Sequence, residues 1–205
     1  MIKKINILLL ILVSTISINS FGQDEILFLN GKTLTGSILA KTDTQFTFKN
    51  LKEKQFTIDK YRVFSYKQNN TESIVYEFDT VSGNFLSQKD MKMFVFGERD
   101  AHQKYKPIVS NIVGLGAGIA GGYLLHSESS FIYVATPLVY MPITLLFPTV
   151  VNQKKIKNKE FINQDEYLRG YDRVARSKRT QGALKSSAAG MVLGIIVSAI
   201  VNNNK

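Results

Sequence analysis

Four short patterns in this 205-residue chain carry residue types that could do chemistry. Gly116-Ala-Gly118-Ile-Ala-Gly121 fits the glycine fingerprint of dinucleotide binding. That fingerprint needs a strand before it, a helix after it and an acidic residue about 20 positions on for the ribose. Positions 136–141 read Thr-Pro-Leu-Val-Tyr-Met, inside an apolar run, so nucleotide binding is not expected. Gly31-Lys32-Thr33 ends like a phosphate loop, but Ile26 stands where the motif requires glycine. Glu98 and His102 are four apart, with Asp100 between them. Asp100 falls on another helix face, so a surface ion pair is expected there rather than a metal site. Asn69-Asn70-Thr71 is a glycosylation sequon, relevant only in a eukaryotic secretory route. His126 and Glu128 read as a solvated turn. Nucleophile elbows, zinc signatures and suitably spaced carboxylate pairs do not occur, and there is no cysteine. We therefore expect no enzymatic activity, no catalytic residue, no cofactor and no metal.

The glycines belong to a different pattern. Residues 107–151 form two uncharged apolar stretches around a His126–Ser130 connection, apart from Glu128 in the turn itself. Each stretch approaches the roughly 20 residues an α-helix needs to cross a hydrocarbon layer. Gly114, Gly118 and Gly122 recur every four residues, with Ala117 and Gly121 beside them. Residues four apart share one helix face, so these rows make a smooth groove for another helix. Pro137, Pro142 and Pro148 predict kinks in the second stretch. The alternative is a buried helical hairpin in a soluble protein. Further on, Gly182, Ser186, Gly190, Gly194 and Ser198 form a second row, and Ala188–Val201 is its short apolar core. Phe94-x-x-Gly97 before the first zipper is echoed by Tyr167-x-x-Gly170 before the second, which reads as two related units.

The amino terminus supplies a location. Met1-Ile-Lys-Lys4 precedes an apolar run over Ile5–Ile18 and small residues at Ser20 and Gly22. This is the layout of a secretory signal peptide over residues 1–22, cleaved after Gly22. An uncleaved anchor is the alternative. The net charge of +10 is unevenly spread. Residues 23–90 hold nine basic and nine acidic side chains, whereas 152–185 hold ten basic and four acidic. Lys154, Lys155, Lys157, Lys159, Arg173, Arg176 and Arg179 are the candidates to face anionic lipid.

Between these parts lies a β-rich segment, residues 23–80. Glu25–Asn30 alternates and ends in Asn30-Gly31, the strongest short hairpin signal. Runs over 33–40, 45–49, 55–58, 63–67 and 73–78 follow, with Gly36 marking a bend or bulge. Five or six strands this short cannot shield both faces as an open sheet, and curling into a barrel solves the core and the edges together. Residues 81–106 read as a linker helix capped by Ser87 with Asp90 three residues on, and Gly97 is expected to break it.

The run Ile26-Leu-Phe-Leu-Asn-Gly-Lys-Thr-Leu-Thr-Gly-Ser-Ile-Leu39, followed by Asp43, resembles the opening of an SH3-like or Sm-like small barrel. RNA-binding Sm proteins place an asparagine shortly after that aspartate and an Arg-Gly pair on a later strand. Here Asp43 is followed by Thr44-Gln45-Phe46 and no Arg-Gly occurs in the segment, so RNA binding is not carried over. The full layout is similar to exported bacterial envelope proteins of unassigned function, a resemblance that implies location and architecture but no activity.

The resulting expectation is an α+β chain. It has a signal peptide at 1–22, a small all-β barrel at 23–80, a linker helix at 81–106 and an apolar helical hairpin at 107–151. A basic amphipathic linker at 152–185 and a short zipper helix at 186–201 complete it. Gly114, Gly118, Gly122, Gly190 and Gly194 are the expected helix-packing residues. Functionally it reads as a membrane-associated envelope protein whose exported barrel faces the periplasm as a binding or scaffolding module. Its partners would be membrane lipid and a second copy or another membrane protein. A homo-oligomeric channel or transport component is the alternative, and an anionic lipid or nucleic-acid binder acting through the basic linker is the weaker one, with no nucleic acid expected.

Overall fold

The computed structural model describes residues 23–152, 156 and 158–203. The signal-peptide segment and Lys154, Lys155 and Lys157 lie outside the described residues. The fold is α+β, a six-stranded antiparallel sheet followed by helices. By contacts the chain divides into two compact units, residues 23–27 with 34–75, and residues 28–33 with 76–203.

The β unit follows the alternation of the sequence. β1 (Asp24–Phe28), β2 (Thr33–Lys41), β3 (Gln45–Asn50) and β4 (Gln55–Asp59) form a meander, and β5 (Val63–Gln68) and β6 (Thr71–Ile74) pair as a hairpin. Turn chemistry sits where backbone geometry demands it: Gly31 has φ +69° and Asn69 and Asn70 have φ +50° and +63°. The strand order is β4-β3-β2-β1-β5-β6. β4 and β5 are therefore four strands apart in the sheet, yet only the 3₁₀ turn Lys60–Arg62 joins them. In a flat sheet four spacings of about 4.8 Å make roughly 19 Å. A three-residue 3₁₀ turn advances only about 6–8 Å. The sheet must therefore curl. Ile26, Phe46, Phe48, Ile58, Val63 and Phe64 fill its interior, each at most 4 % exposed. Each such side chain contributes about 1.5–3 kcal/mol.

Two local expectations change. The register shift in β2 falls between Ile38 and Ala40, not at Gly36. Gly36 instead lies under the Phe48 ring, whose carbons come within 2.7 and 2.9 Å of where a Cβ would stand. The last strand stops at Ile74, because Tyr76 leaves the sheet, is buried and donates to Leu86 O at 2.8 Å.

In the helical unit α1 (Gln88–Lys104) starts as its cap predicts, with Ser87 Oγ accepting from Asp90 N at 3.1 Å. It runs through Gly97 without a break. A glycine inside a helix costs only about 1 kcal/mol, which packing offsets here. A Cβ on Gly97 would overlap the backbone of Tyr167, and one on Gly170 that of Phe94. The two echoed segments are thus each other's contact, reciprocally. α2 (Ile108–Ser127) follows, about 30 Å long at 1.5 Å per residue. The proline-containing stretch is not one kinked helix. It is a 3₁₀ turn (Phe131–Ala135), α3 (Thr136–Ile143) with Pro142 inside it, and a second 3₁₀ turn (Thr144–Leu146). Thr136 and Thr144 hydroxyls donate to the Tyr133 and Met141 carbonyls at 2.7 and 2.8 Å, each adding a second donor to a carbonyl that already accepts the backbone N–H of the same threonine.

α4 is one continuous helix of 39 residues, Asp165–Asn203, and it replaces the expected basic linker plus short C-terminal helix. Continuity removes the shortfall of the last apolar run, because Gly182–Val201 now supplies 20 helical residues, about 30 Å. One stripe of small or aromatic residues runs along α4: Tyr167, Tyr171, Ala175, Ala183, Ser187, Gly190, Gly194 and Ser198, all buried. Its first part faces α1 and its second part α2. Partners advance together, Gly97 with Tyr171, Gly114 with Ser186 and His126 with Ser198, so α1 and α2 both run parallel to α4. The 131–146 stretch runs back the other way. Gly121 meets Thr136 near one end, and Tyr140 OH donates to Ser110 O at 2.7 Å near the other.

Candidate functional site at the basic end of the helical unit

The sequence offers two kinds of candidate site, helix-packing glycines and lipid-facing cations, and the fold treats them differently. Gly114, Gly118 and Gly122 press on the α4 backbone at Ala183, Ser187 and Met191, and Gly190 and Gly194 press on α2 at Leu115 and Ile119. Both zipper rows are thereby occupied by each other within one chain. A second copy is not needed to cover them.

The outer surface has the opposite composition. In α2 the buried residues are Gly114, Gly118, Gly121 and Gly122, while Ile108, Val109, Ile112 and Val113 are each more than half exposed. In α4 the exposed residues include Val192, Leu193, Ile196, Val197 and Ile200, and in the returning stretch Phe131, Ile132, Leu138 and Val139. A helical hairpin in water buries its large aliphatics and exposes polar groups. This one does the reverse. Two helices are long and apolar enough to cross a membrane.

Polar chemistry gathers where α1 meets the first half of α4. Glu98 is fully buried and pairs with Arg173, leaving Glu98 Oε2 without a partner among the described residues. Burial pushes the Glu98 carboxyl above its ordinary range, against the pull of the Arg173 charge. The expected surface ion pair with His102 does not form. His102 Nε2 instead donates to Asn30 O at 3.1 Å. Burial holds the imidazole below its ordinary value of 6.5, and the Lys178, Lys32 and Arg173 charges add to this. Asp100 is 1 % exposed, and its Oδ2 accepts from Tyr167 OH at 2.7 Å, Asn158 Nδ2 at 3.1 Å and Asn158 N at 3.3 Å. Burial and that carboxylate raise the Tyr167 phenol far beyond any working pH. These acids pin α4 and the Asn158 segment to α1. Among the described residues no cluster of three or more metal-ligating side chains occurs.

The cations are largely spoken for. Lys178 Nζ donates to Ala101 O, His102 O and Tyr105 O at 3.3, 2.8 and 3.1 Å, using all three ammonium protons on the last carbonyls of α1. Positive charge there also opposes the helix dipole. Arg179 does the same for the returning stretch, with Nη2 and Nη1 donating to Phe147 O at 2.7 Å and Pro148 O at 3.3 Å. Arg179 is only 7 % exposed, so it is not the outward, lipid-facing residue expected. Arg173 serves Glu98, Arg176 pairs with Asp172 one turn earlier, and Lys159 is exposed. The capping pair Lys178-Arg179 was missed in the sequence, where it looked like part of a basic run. Its signal was position: the two residues stand just before the second zipper, which begins at Gly182. At the other end His126 is exposed, as expected, but it lies in the last turn of α2 rather than in the connecting turn, and its Nδ1 lies 3.0 Å from Ser198 Oγ.

Beside Arg179 opens a groove of about 510 Å³ between the start of α2 and the end of the returning stretch. Ile108, Val109, Val113, Ile143 and Phe147 form its walls, with Lys106, Ser110 and Arg179 among its polar lining. The β unit has a separate, polar basin of about 500 Å³ around Asp24, Ser37, Lys49 and Asn50. Comparison with protein-family models, with curated proteins and with solved structures finds no match for this chain.

Proposed function

We propose that this chain is a non-enzymatic, membrane-anchored envelope protein, in which the helical unit is a rigid anchor and the β unit an SH3-like or Sm-like small barrel that binds a protein or peptide partner. The observation that carries the anchor is the inverted composition of α2 and α4, glycine, alanine and serine inside and large aliphatics outside. In lipid, close backbone approach replaces the hydrophobic drive between helices, and the exposed aliphatics meet acyl chains rather than water. The curl forced by the three-residue link from β4 to β5 supports the barrel. Export rests on the signal-peptide pattern of residues 1–22.

The anchor makes three passes. α2 crosses, the 131–146 stretch returns, and the second half of α4 crosses again parallel to α2. Its residues amount to about 28 Å of 3₁₀ and α rise for the returning pass, close to the hydrocarbon thickness. Export places α1 and the basic half of α4 on the outer side, where they lie on the anionic lipid surface. The chain has no cysteine, so single cysteines report cleanly. With a membrane-impermeant thiol reagent, Ser129→Cys and Asn202→Cys are expected to label from one side and Gln103→Cys from the other. Asn202→Cys labelling together with Gln103→Cys would overturn the three-pass anchor, and full extraction of the protein by alkaline carbonate would overturn membrane residence itself.

A further inference from the structure

We propose that the groove beside Arg179 binds one anionic phospholipid, an acyl chain lying along Val109, Val113 and Ile143 and the phosphate resting at the mouth beside Lys106 and Arg179. The inference rests on the membrane reading above and names the ligand of one site within it.

The apolar part of the groove is walled by side chains that the rest of the chain leaves open: Ile108, Val109 and Val113 are 59, 76 and 52 % exposed, and Ile143 and Phe147 43 and 62 %. Its volume of about 510 Å³ falls within the range of small-ligand sites, about 300–1,000 Å³. Its polar part is unusual in what is missing. Arg179 is more than nine-tenths buried, its Nη atoms are spent on two neutral carbonyls, and its Nε has no partner among the described residues. Carbonyl oxygens satisfy protons but do not cancel a charge, and no acidic side chain lines the groove. A buried cation without a counter-charge is expensive.

Two further groups add positive potential at the same mouth. Lys106 is exposed there, and α2 opens at Pro107 with no side-chain cap, so the positive end of its dipole lies among residues that line the groove. The ligand that fits is therefore an amphiphile with an apolar tail of acyl type and a compact anionic head rich in acceptors. A phosphodiester supplies the negative charge that Lys106 at the mouth and the buried Arg179 beside it both lack. Free phosphate would leave the apolar slot unfilled, and a zwitterionic headgroup would bring a second cation to an already positive mouth.

The test uses full-length protein in detergent and native mass spectrometry, with dioleoyl phosphatidylglycerol, dioleoyl phosphatidylcholine, glycerol phosphate and palmitate as probes. Phosphatidylglycerol is expected to be retained at least tenfold over phosphatidylcholine, with glycerol phosphate and palmitate not competing. Val109→Trp, at an exposed position that fills the slot, is expected to reduce retention at least tenfold. Ile132→Trp, equally exposed but outside the groove, is expected to leave it unchanged. Lys106→Gln should lower the preference for phosphatidylglycerol over phosphatidylcholine severalfold. Equal retention of the two lipids, equal effects of the two tryptophans, or displacement by palmitate overturns the site. Each of these can occur while carbonate extraction still finds the protein in the membrane, so loss of the lipid site and loss of the membrane reading are told apart.

Discussion

Two glycines on one helix, Gly116 and Gly118, separate the packing explanation from every other reason to have glycine there. A Cβ on Gly116 would meet nothing within 4 Å, whereas one on Gly118 would lie 2.8 Å from Ser187 C and 2.9 Å from Met191 N, and closer still to Ser187 O. Ordinary Cβ contacts begin near 3.4 Å, so α2 and α4 would have to part by more than about 0.6 Å, the still closer Ser187 O setting the amount. Both positions are helical, and Gly→Ala adds about 1 kcal/mol of helix propensity to each. That gain cancels in the comparison. The difference between Gly118→Ala and Gly116→Ala is then the overpacking cost alone, about 1–3 kcal/mol, or roughly 5- to 150-fold in the folded-to-unfolded ratio. Unfolding of the purified protein in mixed micelles by sodium dodecyl sulfate, followed by circular dichroism, reads this directly. Gly116→Ala should match or exceed the parent protein, and Gly118→Ala should unfold at lower detergent fraction. The midpoints should not depend on protein concentration, because the two zipper rows meet inside one chain. Equal midpoints for the two variants would refute the packing reasoning, and concentration-dependent midpoints would refute its intrachain form.

Other outcomes follow from the polar end. Tyr167→Phe removes one of the donors to the buried Asp100 carboxylate and should cost about 1–3 kcal/mol in the same unfolding experiment. Lys178→Met leaves the Ala101, His102 and Tyr105 carbonyls without their ammonium donor, and should destabilise by a similar amount while Lys159→Met, at an exposed position, changes midpoints by less than about 0.5 kcal/mol. Glu98 has its folded pKa raised, so it binds a proton before the unfolded chain does; its contribution to stability falls as pH rises from the ordinary 4.5 through that raised value, and Glu98→Gln should flatten this part of a melting-temperature profile. His102 is shifted the other way: its contribution is complete above 6.5 and is lost as pH falls below that value, so His102→Gln should remove the loss on the acid side of 6.5.

Much of the local structure was legible because it is written in periods and punctuation. Alternation over short runs located the six strands, Asn30-Gly31 and Asn69-Asn70 located two turns through their left-handed backbone, and Ser87 with Asp90 located the start of α1. The four-residue spacing of Gly114, Gly118 and Gly122 likewise determined that one face of α2 would be smooth. What a sequence period cannot state is what presses on that face. The zipper rows could have met across two copies, but they meet within one chain, since the turn at 127–130 and the returning stretch bring α4 alongside α2 in parallel. For the same reason Gly97 was misjudged: its backbone penalty is local and visible, while the Tyr167 carbonyl that occupies the vacant Cβ position comes from 70 residues away in sequence. The basic run before the second zipper was legible as charge, yet only the tertiary fold turned Arg173 to Glu98, set Lys178 on the last carbonyls of α1 and set Arg179 on the Phe147 and Pro148 carbonyls just past the returning stretch. A charge count sums side chains as if all faced solvent, and the ends of neighbouring helices decide which of them do.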